Sequence, residues 1–264
     1  MKRKAIVFDN SGTLLKRYKI IKNVKTNQFI QDVNSLTLID NLDCGALVIL
    51  QFNTNCLFKL DPKTTIYELL SKYNIEFTVS YSTYEIDQTS VLNIIKDDKS
   101  TISDITDGFD LLRTQVPSMD ICNGTALILD CKNQEILYTI TSAGVLFNNI
   151  KYTINILKNR GYDIFIASGD RSAAIQYLSK IFDIDPSHGF PTASPDRKKE
   201  IVNSLKDKYD FVAMVGDGQN DFLALSEADI GILTLAQSPL ETDNLIKASD
   251  YIITDVIELL NILD

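Results

Sequence analysis

The chain has no tryptophan and a single histidine, His188, so two imidazoles cannot meet at a metal. Its four cysteines, Cys44, Cys56, Cys122 and Cys131, include no CxxC pair. A structural zinc site is therefore not expected, and reduced thiols in a cytoplasmic protein are. Long apolar runs are missing too. The longest, ALVILQF at 46–52, is far short of the roughly 18–20 residues a membrane span requires and reads as a strand. The opening MKRK imitates the charged start of a signal peptide, but Asp9 ends the apolar run after four residues. Positive charge is scarce: 26 basic against 35 acidic residues leave a net −9, which argues against a nucleic-acid partner. Low-complexity tracts and repeats are absent, and nothing bears on oligomeric state.

What is present is an order of elements. At 264 residues the chain is long enough for more than one domain. From residue 148 onward it alternates: a helical stretch at 148–161, a buried strand at 162–168, and helical RSAAIQYLSKIF at 171–182. An amphipathic helix at 196–209, strand FVAMV at 211–215 and short helix DFLALSEA follow. Strands at 230–233 and 251–255 precede a closing helix. Alternation of this kind predicts an α/β, doubly wound parallel core, Rossmann-like, with polar groups lining a site at the carboxyl ends of the strands.

Residues 17–138 differ. RYKIIKNV, SLTLID, GALVILQF, IEFTVSYS and TALILD read as strands, and DPKTTIYELLSKYN reads as a helix with Asp61 as N-cap and Pro62 at N1. The expected organisation is a core from 1–16 and 139–264, with 17–138 an inserted α+β cap domain.

Chemistry gathers at the ends of the core strands. AIVF runs into Asp9 of DNSGT, IFIA into Ser168-Gly169-Asp170, and VAMV into GDGQND, with Asp217, Asn220 and Asp221. Between the last two stands SPDRKKEIV, with Lys198. Only 11 glycines occur, yet Gly12, Gly169, Gly216 and Gly218 fall in these three turns. Each piece has a plainer reading taken singly: Asp9 as a turn former, Ser168 as a strand-end serine, Lys198 on a solvated helix face. Their joint order is the argument against those readings. His188 reads as a loop residue, and the basic run Lys16, Arg17, Lys19, Lys22, Lys25 as a solvated strand face.

The set DNSGT, SGD, PDRK and GDGQND resembles the haloacid dehalogenase (HAD) superfamily of aspartyl-phosphate enzymes. Within it the set is most similar to the phosphorylation domain of P-type ATPases, whose motifs are DKTGT, TGD, PxxK and GDGxND. The resemblance covers residues 1–15 and about 140–264 and implies a soluble phosphohydrolase with Mg²⁺ as cofactor. Asp9 would be the nucleophile, splitting phosphoryl transfer into two steps. Lys198 would neutralise the phosphoryl group, while the Ser168 hydroxyl and Gly169 amide donate to it. Asp217, with Asp9 and the Ser11 carbonyl, would hold Mg²⁺ through hard oxygens. Asp221, grouped with the metal site, and Asn220 would orient water or Lys198.

One position departs from the pattern. Many phosphatases of the superfamily place a second aspartate two residues after the nucleophile, as acid and base; here it is Ser11, where the pumps have threonine. Positioned acid–base catalysis is worth about 10²–10⁴-fold. Substrates with good leaving groups are therefore expected, ATP among the candidates, or else an aspartyl phosphate meant to persist. The partner would be a small phosphorylated molecule, and a nucleotide is one possibility, although the inserted segment carries neither a KGA-type lysine nor an SEHP-type histidine. The alternative is a non-catalytic phosphate- or nucleotide-sensing protein on the same fold.

Overall fold

The computed structural model describes residues 3–31, 33–116, 121–170, 172–238 and 242–264. The strands among them are β1 Lys4–Phe8, β2 Leu15–Asn23, β3 Phe29–Ile30, β4 Gly45–Gln51, β5 Glu76–Ser82, β6 Ile121–Asp130, β7 Glu135–Leu146, β8 Tyr162–Ala167, β9 Gly189–Phe190, β10 Phe211–Gly216, β11 Ile230–Thr234 and β12 Tyr251–Ile253. They form two six-stranded sheets, in the orders β12-β11-β10-β1-β8-β9 and β3-β2-β7-β6-β4-β5. The chain divides accordingly into two compact units, Met1–Arg17 with Gly144–Asp264, and Tyr18–Ala143.

The first unit is α/β, and its sheet is parallel in every pair. Strand β1 is central because Ala5, Ile6, Val7 and Phe8 have no polar face to offer water, and all four are fully buried. It lies between β10, with Phe8 opposite Val215, and β8, with Phe8 opposite Ile166. This register brings three strand ends level, and each is followed by one of the loops singled out above. The helix Pro195–Lys206 starts with Ser194 as N-cap, its side chain accepting from the Arg197 amide, and Pro195 in the first turn. Its Ile201, Val202 and Leu205 pack with Ala5, Val7, Met214 and Leu233 in one apolar cluster. Arg171, the expected start of the preceding helix, lies outside the described residues; the helix runs over Ser172–Ile181.

The second unit has its own sheet and two apolar clusters. One joins Val48, Leu50, Leu127 and Leu129 to residues of the helices Ile66–Lys72, Gln88–Asp97 and Ile102–Gln115. The structure changes three local expectations here. SLTLID is a helix, Ser35–Asp40, because the Asn34 side chain accepts from the Leu36 amide and starts a turn; only Ile39 is buried. The helix expected from Asp61 begins later, at Ile66. Thr65 caps it in a reciprocal box with Glu68, while Asp61 closes a turn through the Lys63 and Thr64 amides. The basic run is solvated at Lys16 and Lys25, as expected, but not throughout. Lys22 is 3% exposed and bonds Asp104 at 2.8 Å and Asp107 at 2.7 Å. Those carboxylates hold its ammonium above its usual range against the cost of burial.

Among the described residues no helix is long and apolar enough to cross a membrane. Cys44, Cys56 and Cys131 are free thiols, and the side chain of Cys122 lies outside the described residues.

Candidate active site

The loop after β1 begins the site. Asp9 extends the strand by one bond, its amide donating to the Val215 carbonyl at 2.9 Å. The Asn10 carbonyl then accepts from the amides of Thr13, Leu14 and Leu15, folding the chain sharply back so that residue 17 returns beside residue 11. Gly12 sits in this turn at φ +81°, in the left-handed region. A Cβ at Gly12 would stand 1.7 Å from Asp217 Oδ2, so the glycine also makes room for a carboxylate from another loop.

Lys198 comes from the helix Pro195–Lys206 and is completely buried. It stands at i relative to Ile201, Val202 and Leu205 at i+3, i+4 and i+7, which is the apolar face, not the solvated one. Its ammonium bonds Asp9 Oδ1 and Asp221 Oδ1, each at 2.6 Å. Burial opposes the Lys198 charge, but the Asp9 and Asp221 carboxylates outweigh it and hold its affinity for a proton above normal. Asp9 is pushed well above the usual carboxylate range, by burial first and the Asp221 charge second, with Lys198 opposing both. One ammonium between two buried carboxylates leaves negative charge uncompensated. A further cation beside them would balance it.

The donor set fits a hard divalent ion. Ligand atoms of Asp9, Asp217 and Asp221 lie within 4.8 Å of one another, all carboxylate oxygens. Asp221 is already heavily used. Beside Lys198 on Oδ1, its Oδ2 accepts from the amides of Asp217 at 3.1 Å and Gly218 at 3.3 Å. It ties the loop after β10 to the lysine, whereas Asp217 and Asp9 face the cavity.

That cavity, about 460 Å³, is lined by Asp9, Ser11, Ser168, Gly169, Asp170, Asp217, Gly218, Gln219 and Asn220. The structure thus brings together every site residue expected from the sequence, with Lys198 directly behind Asp9. His188 stands elsewhere, in the short turn Pro186–His188, stacked on Phe165 at 4.0 Å with Nδ1 3.1 Å from the Ile164 carbonyl.

Three participants were not expected. Asp170 accepts from Asn10 Nδ2 at 2.6 Å, Ser168 Oγ at 3.0 Å and Ser11 Oγ at 3.1 Å, and pairs with Arg17. Burial works against its charge, yet Arg17 and these donors hold it below the usual carboxylate range. Arg17 also donates from Nε to Ser11 Oγ at 2.8 Å. Gln237 grips the Arg17 backbone at both ends, accepting from its amide at 2.7 Å and donating to its carbonyl at 3.2 Å. Asp170 stood inside the SGD stretch. Arg17 was hidden in a basic run, and Gln237 carried no signal.

A family model described as haloacid dehalogenase-like hydrolase matches residues 3–229. The chain is 33% identical over 259 residues to a soluble P-type ATPase-like phosphatase of Methanocaldococcus jannaschii, covering 98% of this chain and 92% of that protein. It is 31% identical over 134 residues to a probable copper-importing P-type ATPase A of Enterococcus hirae, covering 51% of this chain and 18% of that one. Among solved structures, the catalytic domain of the CPx-ATPase CopB-B aligns over 99% of this chain and 88% of its own, at 19% identity and a TM-score of 0.49.

Proposed function

This chain belongs to the haloacid dehalogenase-like hydrolases, and on that premise we propose that it is a Mg²⁺-dependent phosphatase working through an aspartyl phosphate on Asp9. The observation that carries this reading is the buried lysine bridging two carboxylates at 2.6 Å, one of them at the wall of a polar cavity. Burying such a group is costly, and the carboxylate it serves is the one the strand delivers to the cavity.

Asp9 attacks the phosphorus of the substrate, a P–O bond forms from its carboxylate, and the bond to the leaving oxygen breaks. Lys198 opposes the burial that disfavours the Asp9 charge and meets the charge growing on the equatorial oxygens. The Gly169 amide is a donor to those oxygens. Asp9, Asp217 and the Ser11 carbonyl would hold Mg²⁺, which supplies Lewis-acid charge neutralisation at the phosphoryl group when bound. Asp221 fixes Lys198 and the loop bearing Asp217. No carboxylic acid stands at residue 11 to protonate the leaving oxygen, so good leaving groups are the substrate class: acyl phosphates, aryl phosphates or ATP.

The test is incubation with γ-labelled ATP or labelled acetyl phosphate, with and without Mg²⁺, followed by acid quench. Expected is an acid-stable, hydroxylamine-sensitive label on Asp9 that needs Mg²⁺ and is absent from Asp9→Asn. Wild-type turnover in Asp9→Asn would refute the assignment.

A further inference from the structure

Ser11 has one proton and two lone pairs to distribute. Its proton goes to Asp170 Oδ2 at 3.1 Å, and one lone pair receives Arg17 Nε at 2.8 Å. The remaining lone pair belongs to a residue that lines the cavity beside Asp9. An oxygen so arranged accepts a hydrogen bond and cannot give one. It suits water, which has a proton to offer, and repels a phosphoryl oxygen, which has none.

The arrangement is held from several sides. Asp170 is braced by Asn10, which is fully buried, and by Ser168, so its carboxylate cannot swing away without stranding them. Arg17 pairs with Asp170 by its guanidinium while Gln237 fixes its backbone amide and carbonyl. The sharp turn at Asn10 brings these groups to the residue two places after the nucleophile.

Resting on the aspartyl-phosphate reading above, we propose that Arg17 and Asp170 are positioning residues for the second half of the reaction: they set the Ser11 hydroxyl to receive the water that hydrolyses the aspartyl phosphate. In that step the water oxygen bonds to phosphorus and the bond between phosphorus and the Asp9 oxygen breaks. Asp9 leaves as a carboxylate, and both water protons depart with the product as dihydrogen phosphate. The Ser11 oxygen orients the water by accepting one of its O–H groups. The two half-reactions are thereby served unequally. Departure of the leaving group gets no proton from residue 11, while attack by water gets a fixed acceptor.

The experiment is rapid-quench measurement of label formation and, after a chase of unlabelled substrate, of label decay. Variants are Ser11→Ala, Arg17→Gln, Asp170→Asn and Ser11→Ala combined with each of the latter two. Each single change should slow decay about tenfold, the worth of one well-placed hydrogen bond, and leave formation within about twofold. The trapped fraction of phosphoenzyme should rise accordingly. In the Ser11→Ala background, removing Arg17 or Asp170 should slow decay no further, because both act through the hydroxyl that is already gone. A merely structural pair would give additive losses. Gln237→Leu, which leaves the charge pair in place, should show a smaller loss confined to decay, and covers the case of a misfolded Asp170→Asn. Additive losses, or losses that fall on formation, overturn the proposal while leaving Asp9 as nucleophile. A wild type that forms no label overturns the aspartyl-phosphate reading and this inference with it.

Discussion

Replacing Lys198 by methionine should destabilise the protein and make its stability depend on pH. Methionine fills much the same volume, so the cavity term is small and the electrostatic one dominates. In the native protein the ammonium satisfies Asp9 Oδ1 and Asp221 Oδ1, the first buried at the cavity wall and the second fully enclosed. Breaking a buried pair by removing one partner costs about 3–5 kcal/mol; two stranded carboxylates place this case near the upper end. Protonation relieves it. A carboxyl whose folded pKa is raised loses folding stability as pH climbs from its unfolded value, about 4, to the folded one. Asp9 already behaves so in the wild type, and losing Lys198 removes the influence that opposed its burial. Lys198 itself, raised, contributes its full stabilisation at all these pH values, since that is lost only above about pH 10. The gap between wild type and Lys198→Met should therefore be narrow near about pH 4 and widen to ~4–5 kcal/mol near neutrality. Urea unfolding, with hydrogen exchange at β1 and β10 amides to report on the core, measures it. A triple variant, Asp9→Asn, Lys198→Met, Asp221→Asn, should recover most of the stability and none of the turnover. A gap below about 1 kcal/mol at neutral pH, or one that ignores pH, refutes the argument that the lysine is there to hold these two carboxylates.

Gly12→Ala should raise the Mg²⁺ concentration for half-maximal rate by at least about tenfold, because its methyl group meets Asp217 Oδ2; the left-handed φ adds about 1–2 kcal/mol of strain, read by thermal melting. Asp217→Asn should shift Mg²⁺ titrations with little loss of stability, whereas Asp221→Asn should lower stability more, since Asp221 carries Lys198 and two amides. Equal effects on both measurements would contradict that division. Ser11→Asp with Asp170→Asn should accelerate hydrolysis of alkyl phosphates by up to ~10²–10⁴-fold and flatten the plot of log kcat/KM against leaving-group pKa. Ser11→Asp alone should gain less, because the new carboxylate would face Asp170. A wild-type plot that is already flat would mean another group supplies the proton.

Much of this site was legible because it sits where apolar runs stop. Four apolar residues stopped by a glycine turn suit a covered strand, and a carboxylate at its end asks for a cation. Lys198 was also within reach: its spacing to Ile201, Val202 and Leu205 places it on the buried face, although RKKE reads as a solvated patch. Arg17 was not legible. Its place depends on three amides converging on the Asn10 carbonyl and on a side-chain grip by Gln237, 220 residues along the chain. No period in a sequence encodes either. The segment Ser35–Asp40 reads as a strand although it is a helix, because its lone buried side chain, Ile39, leaves too little pattern for a short cap signal to correct.

Strand β1 pairs with β8 and β10, which begin at Tyr162 and Phe211. Synthesis at about 5–20 residues per second leaves its four apolar residues without partners for roughly ten seconds or more after they emerge. The inserted unit has no such delay. It is bracketed by β2 and β7, neighbours in its sheet, so all its strands exist before β8 is made. Folding on the ribosome should run from the middle outward, Tyr18–Ala143 before the sheet of the other unit. Asp9 is made 189 residues ahead of the lysine it bonds, so its ammonium partner arrives late.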